Sequence, residues 1–200
     1  MALDGRGGGF RIGLNLFNPV LPSAEKVKGF VESNGYIAME AEHFSRKNDI
    51  NRAGWQVIEG LGRTGNSVTV LPISLESPKT VDDIQKDSPS LEYDIFTFTT
   101  GEALLILNCI PSYPVNKDHG LRFAFALDEE KPQIIDSKGE KDVMNNLLTF
   151  KTKLNLSGNA QHILKLWRVD PGLVIDKIII DTGGVKNSYL GPPESVYHKN

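Results

Sequence analysis

The sequence predicts an all-β protein, an antiparallel β-sandwich of the jelly-roll type with an N-terminal extension. About eight to ten short apolar or alternating stretches are separated by turn residues, and no stretch keeps a helical period over several turns. The clearest pair of strands lies at residues 163–181, where a turn at Asp170, Pro171 and Gly172 joins two apolar runs. Proline sets φ for such a turn, and glycine accepts the positive φ that often follows it.

The first 26 residues are predicted to form an extension that precedes the main domain. Residues 1–9 are rich in glycine and predict no regular structure, whereas residues 10–17 alternate well enough for a short strand. Prolines at residues 18–23 mark a linker. Residues 24–33, which span the boundary to the main domain, carry apolar side chains that would share one side of one or two helical turns.

The main domain is predicted to span residues 27–184 and to consist mostly of strands. Runs of β-branched and aromatic residues, or the alternation of apolar and polar residues, predict each strand. The predicted strands are 36–44, 67–71, 91–99, 103–110, 121–127, 133–136, 149–156, 163–169 and 173–180. The remaining segments are expected to be polar loops at 46–52, 78–89 and 111–120, a helix-compatible stretch at 138–146 and a C-terminal surface tail at 185–200.

Two glutamates near the start of the main domain, Glu40 and Glu42, are separated by one residue. In a strand they share one face and lie roughly 6.5 Å apart. Such neighbours do not straddle a sugar bond as the two acids of a glycosidase do, but both can reach one hard cation. Asp176 interrupts the apolar strand at 173–180 and could supply a third carboxylate. The alternative to a metal site is that all three are solvated surface carboxylates, and the spacing alone favours this alternative.

Two aromatic residues, Trp55 and Tyr113, lie in or beside polar loops. Exposed aromatic faces stack on sugar rings, and the polar side chains of Asn116 and Lys117 could bond sugar hydroxyls. Tryptophan is more often a core residue than a binding platform, and for Trp55 both interpretations stay open. Trp167, inside the apolar strand pair, is predicted to belong to the core.

Several classes of function are disfavoured by composition and motifs. A net charge of −3 without a basic cluster argues against nucleic acid and anionic membranes as partners. No apolar run approaches the ~20 residues of a membrane span, and the first residues lack a signal-peptide pattern. The single cysteine, Cys109, is expected to be a buried, inert thiol. Because no local motif marks a catalytic set, the chain is not expected to be an enzyme.

Five segments together resemble one known family, the C-terminal domain of glycoside hydrolase family 115, whose members are xylan α-1,2-glucuronidases. The resemblance runs from about residue 27 to residue 195. More loosely, the E-A-E start is similar to the jelly-roll carbohydrate-binding modules of families 6 and 35. The segments are GYIAMEAEHF, AGWQVIEGLGRTGNSV, GLRFAFALDEEKPQII, HILKLWRVDPGLVIDKIIIDTGG and SYLGPPES.

The resemblance implies a non-catalytic β-sandwich that accompanies catalytic domains lying upstream in the parent glycoside hydrolase. Residues 10–19 resemble the last strand of the preceding domain. In the binding modules, two glutamates and an aspartate of the last strand hold a structural calcium ion, and these correspond to Glu40, Glu42 and Asp176. Many of those modules also carry a tryptophan in the region that matches residues 138–146, where this chain has no aromatic residue.

Two functions follow from the resemblance. The first is an accessory domain that stabilises its parent enzyme, packs at a homodimer interface or helps to shape the active site. The alternative is an independent carbohydrate-binding module for glucuronoxylan or other glycans that carry uronic acids. The family further implies a periplasmic or extracellular location.

Overall fold

The computed structural model describes residues 2–5, 8–11, 13, 22–50, 52–137, 140–142 and 144–199. These residues form two large β-sheets, a separate hairpin, one α-helix and one 3₁₀ turn at Ala24–Lys26. The elements in chain order are β1 (Ala2–Gly5), β2 (Gly8–Arg11), β3 (Gly29–Val31), β4 (Tyr36–Glu40), β5 (Arg46–Asn48), β6 (Gly54–Ile58), β7 (Ser67–Leu71), α1 (Val81–Asp87), β8 (Ser90–Thr97), β9 (Gly101–Cys109), β10 (Leu121–Leu127), β11 (Gln133–Ser137), β12 (Glu140–Asp142), β13 (Leu147–Leu156), β14 (Ala160–Arg168), β15 (Val174–Asp181) and β16 (Tyr197–His198).

Each large sheet contains seven of the described strands. Sheet I has the order β11-β10-β14-β8-β3-β16, with β5 also paired to β8. Sheet II has the order β12-β13-β9-β15-β7-β6, with β4 also paired to β15. Among the described pairs, all are antiparallel except β3 with β8. The predicted antiparallel β-sandwich is therefore confirmed.

One hydrophobic core lies between the two sheets. Leu105 and Leu107 of β9 are buried in it, as are Phe123 and Phe125 of β10. The ring of Phe123 in sheet I meets the ring of Phe150 in sheet II edge-on, with ring centroids 5.4 Å apart. Edge-to-face pairs of this kind add to the stability gained from burial alone. The alternation of apolar residues in β10, predicted from the sequence, thus points the phenylalanines into the core.

Helix α1 covers part of the outer face of sheet I, where the sequence predicts a surface loop. Ile84 of α1 packs with Trp167 and Val169 on that face, so the core assignment of Trp167 is confirmed. The helix begins with a capping box, in which the Thr80 hydroxyl accepts from Asp83 N and the Asp83 carboxylate accepts from Thr80 N. This reciprocal pair satisfies two backbone amides at the start of a helix of only seven residues.

Three short segments differ from the prediction because pairing with a neighbouring strand outweighs local preference. The helical turns expected at 24–33 reduce to the 3₁₀ turn, after which β3 pairs with β8. The polar loop expected at 46–52 contains β5, which also pairs with β8. The helix-compatible stretch at 138–146 contains β12, which pairs with β13.

The glycine-rich start also forms regular structure, contrary to the prediction for residues 1–9. Strands β1 and β2 pair as an antiparallel hairpin. Most of the strand predicted at 10–17 and of the linker at 18–23 lies outside the described residues. None of the helices in the described part of the chain is long and apolar enough to cross a bilayer.

A buried glutamate joins elements that are far apart in sequence. Glu32, just after β3, accepts hydrogen bonds from Phe98 N at 2.6 Å and Thr99 N at 2.8 Å, both beyond the end of β8. Its other oxygen accepts from the hydroxyl groups of Thr99 and Thr182. Glu32 therefore satisfies four donors and links β3 to the chain segments that follow β8 and β15.

The last residues pair with the first strands of the sandwich. Tyr197 of β16 pairs with Phe30 of β3, and the two rings meet edge-on with centroids 4.8 Å apart. Ser195 bonds both backbone groups of Ala38 in β4, through its own N–H at 2.8 Å and its hydroxyl at 3.0 Å. The predicted domain boundaries, 1–26, 27–184 and 185–200, stay predictions.

Candidate functional site

The three carboxylates that the sequence singles out, Glu40, Glu42 and Asp176, all contact one loop. We call them the acidic centre. Glu40 ends β4, Glu42 lies in the turn that follows, and Asp176 lies in β15 where the pairing with β9 shifts register. The loop at residues 61–66 joins β6 to β7 and bonds each of them. Glu40 Oε1 accepts from Thr64 Oγ1 at 2.7 Å, Glu42 Oε1 from Asn66 N at 2.7 Å and Asp176 Oδ1 from Arg63 N at 3.1 Å.

Two glycines let this loop approach the carboxylates so closely. A Cβ atom on Gly62 would lie 2.6 Å from Asp176 Oδ1, and one on Gly65 would lie 2.5 Å from Glu42 Oε1. Both distances are shorter than a Cβ atom tolerates, so a larger residue at either position would displace the carboxylate or the loop. This contact explains why the loop follows a glycine-rich sequence.

A buried lysine pairs with the acidic centre. The Lys177 side chain is 2% exposed, and its Nζ lies 3.0 Å from Glu40 Oε1. The same ammonium donates to the carbonyl oxygens of Leu190 at 3.2 Å and Pro192 at 3.3 Å. These three acceptors match the three N–H groups of an ammonium.

A second buried cation lies beside Asp176. The Arg63 side chain is 7% exposed, and its Nε lies 3.6 Å from Asp176 Oδ2. Its guanidinium carbon lies 5.6 Å from the centre of the Tyr189 ring, and Nη1 donates to the Tyr189 carbonyl. The aromatic face therefore covers the charged group.

Burial and charge shift the titration of groups around the acidic centre. Burial raises the pKa of Asp176 above its ordinary value, because the bonds from Arg63 only partly offset desolvation. Burial alone would lower the pKa of His43, but its hydrogen bond to Glu194 and the charges of Glu194, Glu42 and Glu40 together outweigh that effect, and the pKa is raised. Burial, with a contribution from the Asp176 charge, strongly raises the pKa of Cys109. The predicted burial of Cys109 is confirmed.

The arrangement does not fit a calcium ion, which takes six to eight oxygen ligands. Glu40 Oε2 and Glu42 Oε2 are buried without a hydrogen-bond partner, and these two atoms are open to a metal. Glu40 Oε1 is taken by Lys177 and Thr64. Asp176 Oδ1 accepts from Arg63 N, and Asp176 Oδ2 lies 3.6 Å from Arg63 Nε. Across the described part of the chain, no three His, Cys, Asp or Glu residues form a group that could hold a metal ion. The calcium site stays a prediction that this geometry does not support.

Trp55 is not a sugar-binding platform. Its side chain is 2% exposed and belongs to the core between the sheets. Strand β6, which carries it, pairs with β7 through Trp55 and Val70, and that pairing turns the indole inward. An indole without an exposed face cannot stack on a sugar ring, so the core interpretation of Trp55 holds.

The other three predicted glycan-binding residues lie in the loop at residues 111–120. Tyr113 is 80% exposed. Asn116 and Lys117 line an open groove of 540 Å³ between this loop and the segment that follows β7. That volume falls in the range of small-molecule sites. Tyr113 does not line the groove, so the structure separates the aromatic candidate from the two polar ones. Their role in binding stays a prediction.

Sequence reasoning missed the residue that organises this groove, Asp170. Its carboxylate is buried and accepts from Arg122 N, Nε and Nη2 at 3.0, 3.1 and 2.9 Å. It also accepts from the Ser77 hydroxyl at 2.7 Å, which ties the segment after β7 to the turn before β15. The aspartate was interpreted only as a turn residue. The available signal was Arg122, a cation within the otherwise apolar strand β10.

Three buried carboxylates of the sandwich have lowered pKa values for a shared reason. Burial alone would raise the pKa of Glu32, Asp94 and Asp170. The hydrogen bonds that these carboxylates accept, together with the cations beside Asp94 and Asp170, outweigh this effect of burial. Asp94, for example, takes two bonds from Arg46 at 2.9 and 2.6 Å. Each therefore stabilises the fold above its unfolded-state pKa of about 4 and loses that contribution as the pH falls through the lower pKa of the folded state.

The free energy of unfolding is expected to fall by on the order of 3 kcal/mol between pH 6 and pH 3. Asp176 opposes this loss, because its raised pKa favours proton uptake by the folded state. Its single contribution is expected to be smaller than the combined contribution of Glu32, Asp94 and Asp170. Urea unfolding at several pH values measures the effect. The variant Glu32→Gln should show a weaker pH dependence, whereas exchange of the exposed Glu129 for Gln should leave the profile unchanged. A stability that is constant or rises down to pH 3 would contradict the assignment.

Comparisons with known proteins identify the class of domain. A family model, the glycosyl hydrolase family 115 C-terminal domain, matches residues 29–194. The chain therefore belongs to this family, and the matched region is the C-terminal domain rather than the catalytic one. No curated protein shows significant similarity to the chain.

Solved structures with a similar fold come from carbohydrate-active proteins. The family 115 4-O-methyl-α-glucuronidase BtGH115A, with specificity for decorated arabinogalactans, matches at a TM-score of 0.52 and 21% identity over 72% of this chain. The GH26-CBM35 β-(1,4)-mannanase of Podospora anserina matches at 0.51 and 14% identity over 78%. The C-terminal CBM6 of the laminarinase LamC from Zobellia galactanivorans matches at 0.48 and 17% identity over 73%. The match covers 17% of BtGH115A, 29% of the mannanase and 98% of the CBM6 chain.

Proposed function

We propose that the chain is a non-catalytic accessory domain of a xylan α-1,2-glucuronidase-type glycoside hydrolase, with a structural role beside the catalytic domains. The observation that carries this proposal is the family match, which spans the sandwich from β3 to the segment before β16. The catalytic activity would belong to other parts of a much longer protein, since the match covers 17% of BtGH115A. A secreted hydrolase of plant polysaccharides would act in the periplasm or outside the cell.

The internal pairing of the candidate groups supports a structural role. The carboxylates of the acidic centre bond to their own loop and to Lys177, and Asp170 bonds to Arg122 and Ser77. Carboxylates that are hydrogen-bonded within the chain in this way hold its loops in place. They are poorly available as acids or nucleophiles.

An apolar surface on sheet II offers a place for the parent enzyme to pack. Val57 of β6, Leu71 of β7 and the nearby Ile73 are exposed and line one shallow groove. Exposed apolar patches commonly mark sites of protein contact. The catalytic domains of the parent are the occupant that this proposal favours. A homodimer stays a prediction, which the mass of the chain in solution would test.

The alternative function is an independent carbohydrate-binding module. The observation that favours it is the groove lined by Asn116, Lys117 and Asp118, which is open to solvent and rich in polar groups. It lies in a loop that also carries the exposed Tyr113. The amide and the ammonium in the groove could bind sugar hydroxyls and a uronic acid carboxylate, whereas the phenol ring lies outside the groove.

The purified chain is expected to release no 4-O-methylglucuronic acid from glucuronoxylan and to show no saturable binding of its oligosaccharides. Calorimetric titration and NMR chemical shifts measure binding, with glucuronidated arabinogalactan fragments as a second ligand series. Saturable binding that Lys117→Ala weakens at least tenfold, with Lys151→Ala in strand β13 as the control, would favour the binding module. Release of the uronic acid by the chain alone would show that the non-catalytic proposal is wrong.

A further inference from the structure

Lys177 is an unusual residue for its position, a lysine buried in the central strand of a sheet. Strand β15 lies between β9 on one side and β4 with β7 on the other. Its neighbours along the strand, from Ile178 to Ile180, are all apolar and buried. A charged group in such a place must be paired and hydrogen-bonded. The partner that β4 places opposite it in register is Glu40.

The bonds of Lys177 are complete within the chain. Glu40 Oε1 accepts one N–H at 3.0 Å, and the carbonyl oxygens of Leu190 and Pro192 accept the other two. The two carbonyls belong to the C-terminal segment, which crosses the outer face of sheet II at Gly191, close to the Lys177 side chain. The ammonium therefore ties this segment to the acidic centre.

The segment is also held by its own glutamate. Glu194 Oε1 accepts from Glu40 N at 2.9 Å and lies 2.8 Å from His43 Nδ1. Residues 188–195 thus contact β4 and β15 through Glu40 and Lys177 together.

We propose that Lys177 and Arg63 take the place of a divalent cation, so that the acidic centre is closed by cations of the protein itself and needs no metal. The two cations offset two of the three carboxylate charges, and both are nine-tenths buried or more. The unpartnered atoms Glu40 Oε2 and Glu42 Oε2 supply only two ligands. To gain further carboxylate ligands, calcium would have to take Glu40 Oε1 from Lys177 and to approach Asp176 Oδ2, which lies 3.6 Å from the Arg63 guanidinium. It would then leave the Lys177 ammonium buried beside a dication and without its anionic partner.

The first test compares the metal-stripped chain with the same chain in millimolar calcium. A ligand that binds only the folded state raises stability with its concentration, so an unoccupied calcium site would show itself directly. The expected result is the same melting temperature with chelator, with calcium and with magnesium, and no saturable heat of calcium binding. A melting temperature that rises by more than a few degrees in calcium, or falls by that amount in chelator, would overturn the proposal.

The second test removes the ammonium. Lys177→Met keeps the length of the side chain but leaves Glu40 buried without its cation, and it should lower the melting temperature by about 10 °C. The double variant Glu40→Gln with Lys177→Met removes both charges and should recover part of that loss. The same substitution at Lys153, which pairs with Glu102 on the surface, is the matched control and should change the melting temperature by less than about 3 °C.

A further measurement tests whether the Lys177 ammonium holds the C-terminal segment in place or whether its side chain only fills space. Limited proteolysis should cleave the C-terminal segment of Lys177→Met faster than that of the unaltered chain, because two carbonyl contacts are lost. If Lys177→Met retains the full melting temperature and the proteolysis rate of the unaltered chain, the ammonium does not close the centre. If Lys177→Met fails to fold, the chelator experiment on the unaltered chain still decides the question.

Discussion

Replacement of Trp55 by alanine is expected to cost about 3–5 kcal/mol of unfolding free energy, the usual range for truncating a buried tryptophan. The indole lies in the core between the sheets, and its removal would leave a cavity that the paired strands β6 and β7 cannot fill by moving. Urea unfolding measures the loss. Trp55→Phe should cost much less, because the buried indole N–H has no hydrogen-bond partner that the change would remove.

Tyr113 provides the matched control for this experiment. It was paired with Trp55 as a glycan-binding candidate, yet it is exposed. Tyr113→Ala is therefore expected to change the unfolding free energy by less than about 0.5 kcal/mol. If Trp55→Ala kept its stability and lost affinity for an oligosaccharide, the structural assignment of Trp55 would be wrong.

Replacement of Asp170 by alanine is expected to cost about 3 kcal/mol, because it leaves a partly buried guanidinium and several N–H donors without their acceptor. Arg122 loses three bonds, and Ser77 loses its tie to the turn before β15. The segment after β7 is also held by Arg168, which donates to the carbonyl oxygens of Leu75 and Glu76. That second anchor should limit the damage to the groove and its surroundings.

Asp118 lines the same groove but is exposed, so Asp118→Ala serves as the control. It should unfold at the same urea concentration as the unaltered chain. Hydrogen exchange at the amides of residues 72–79 would locate the effect of Asp170→Ala. Equal stability of the two variants would mean that the Asp170 network contributes little.

The long strands were predictable because their patterns agree with their pairing. The predicted strands at 67–71 and 121–127 coincide with β7 and β10. The residues of β14 divide as their alternation requires, with Leu164 and Leu166 in the core and Trp167 under α1. The short elements were missed because long-range pairing creates them. Strand β5 is entirely exposed, and its three polar residues give no period from which to infer a strand.

The candidate site was predictable in part. The two glutamates and Asp176 do meet one loop, since pairing of β4 with β15 brings the two ends of the domain together. The lysine that pairs with Glu40 was not predicted. Lys177 is adjacent to Asp176 in the sequence, and the register of strand pairing decides which of the two faces Glu40. The pairing of β15 with β9 shifts register between Ile175 and Lys177, and the sequence pattern does not predict such a shift.

The pairing of the first strand of the sandwich with the last has a consequence for synthesis on the ribosome. Phe30 can pair with Tyr197, and the backbone of Ala38 can bond to Ser195, only after these partners have been synthesised. Both partners lie more than 150 positions later in the chain. The outer edges of β3 and β4 therefore stay uncovered until residues 195–197 have been synthesised and have left the exit tunnel. Until that moment the nascent domain exposes unpaired strand edges, so the sandwich cannot close before β16 has emerged.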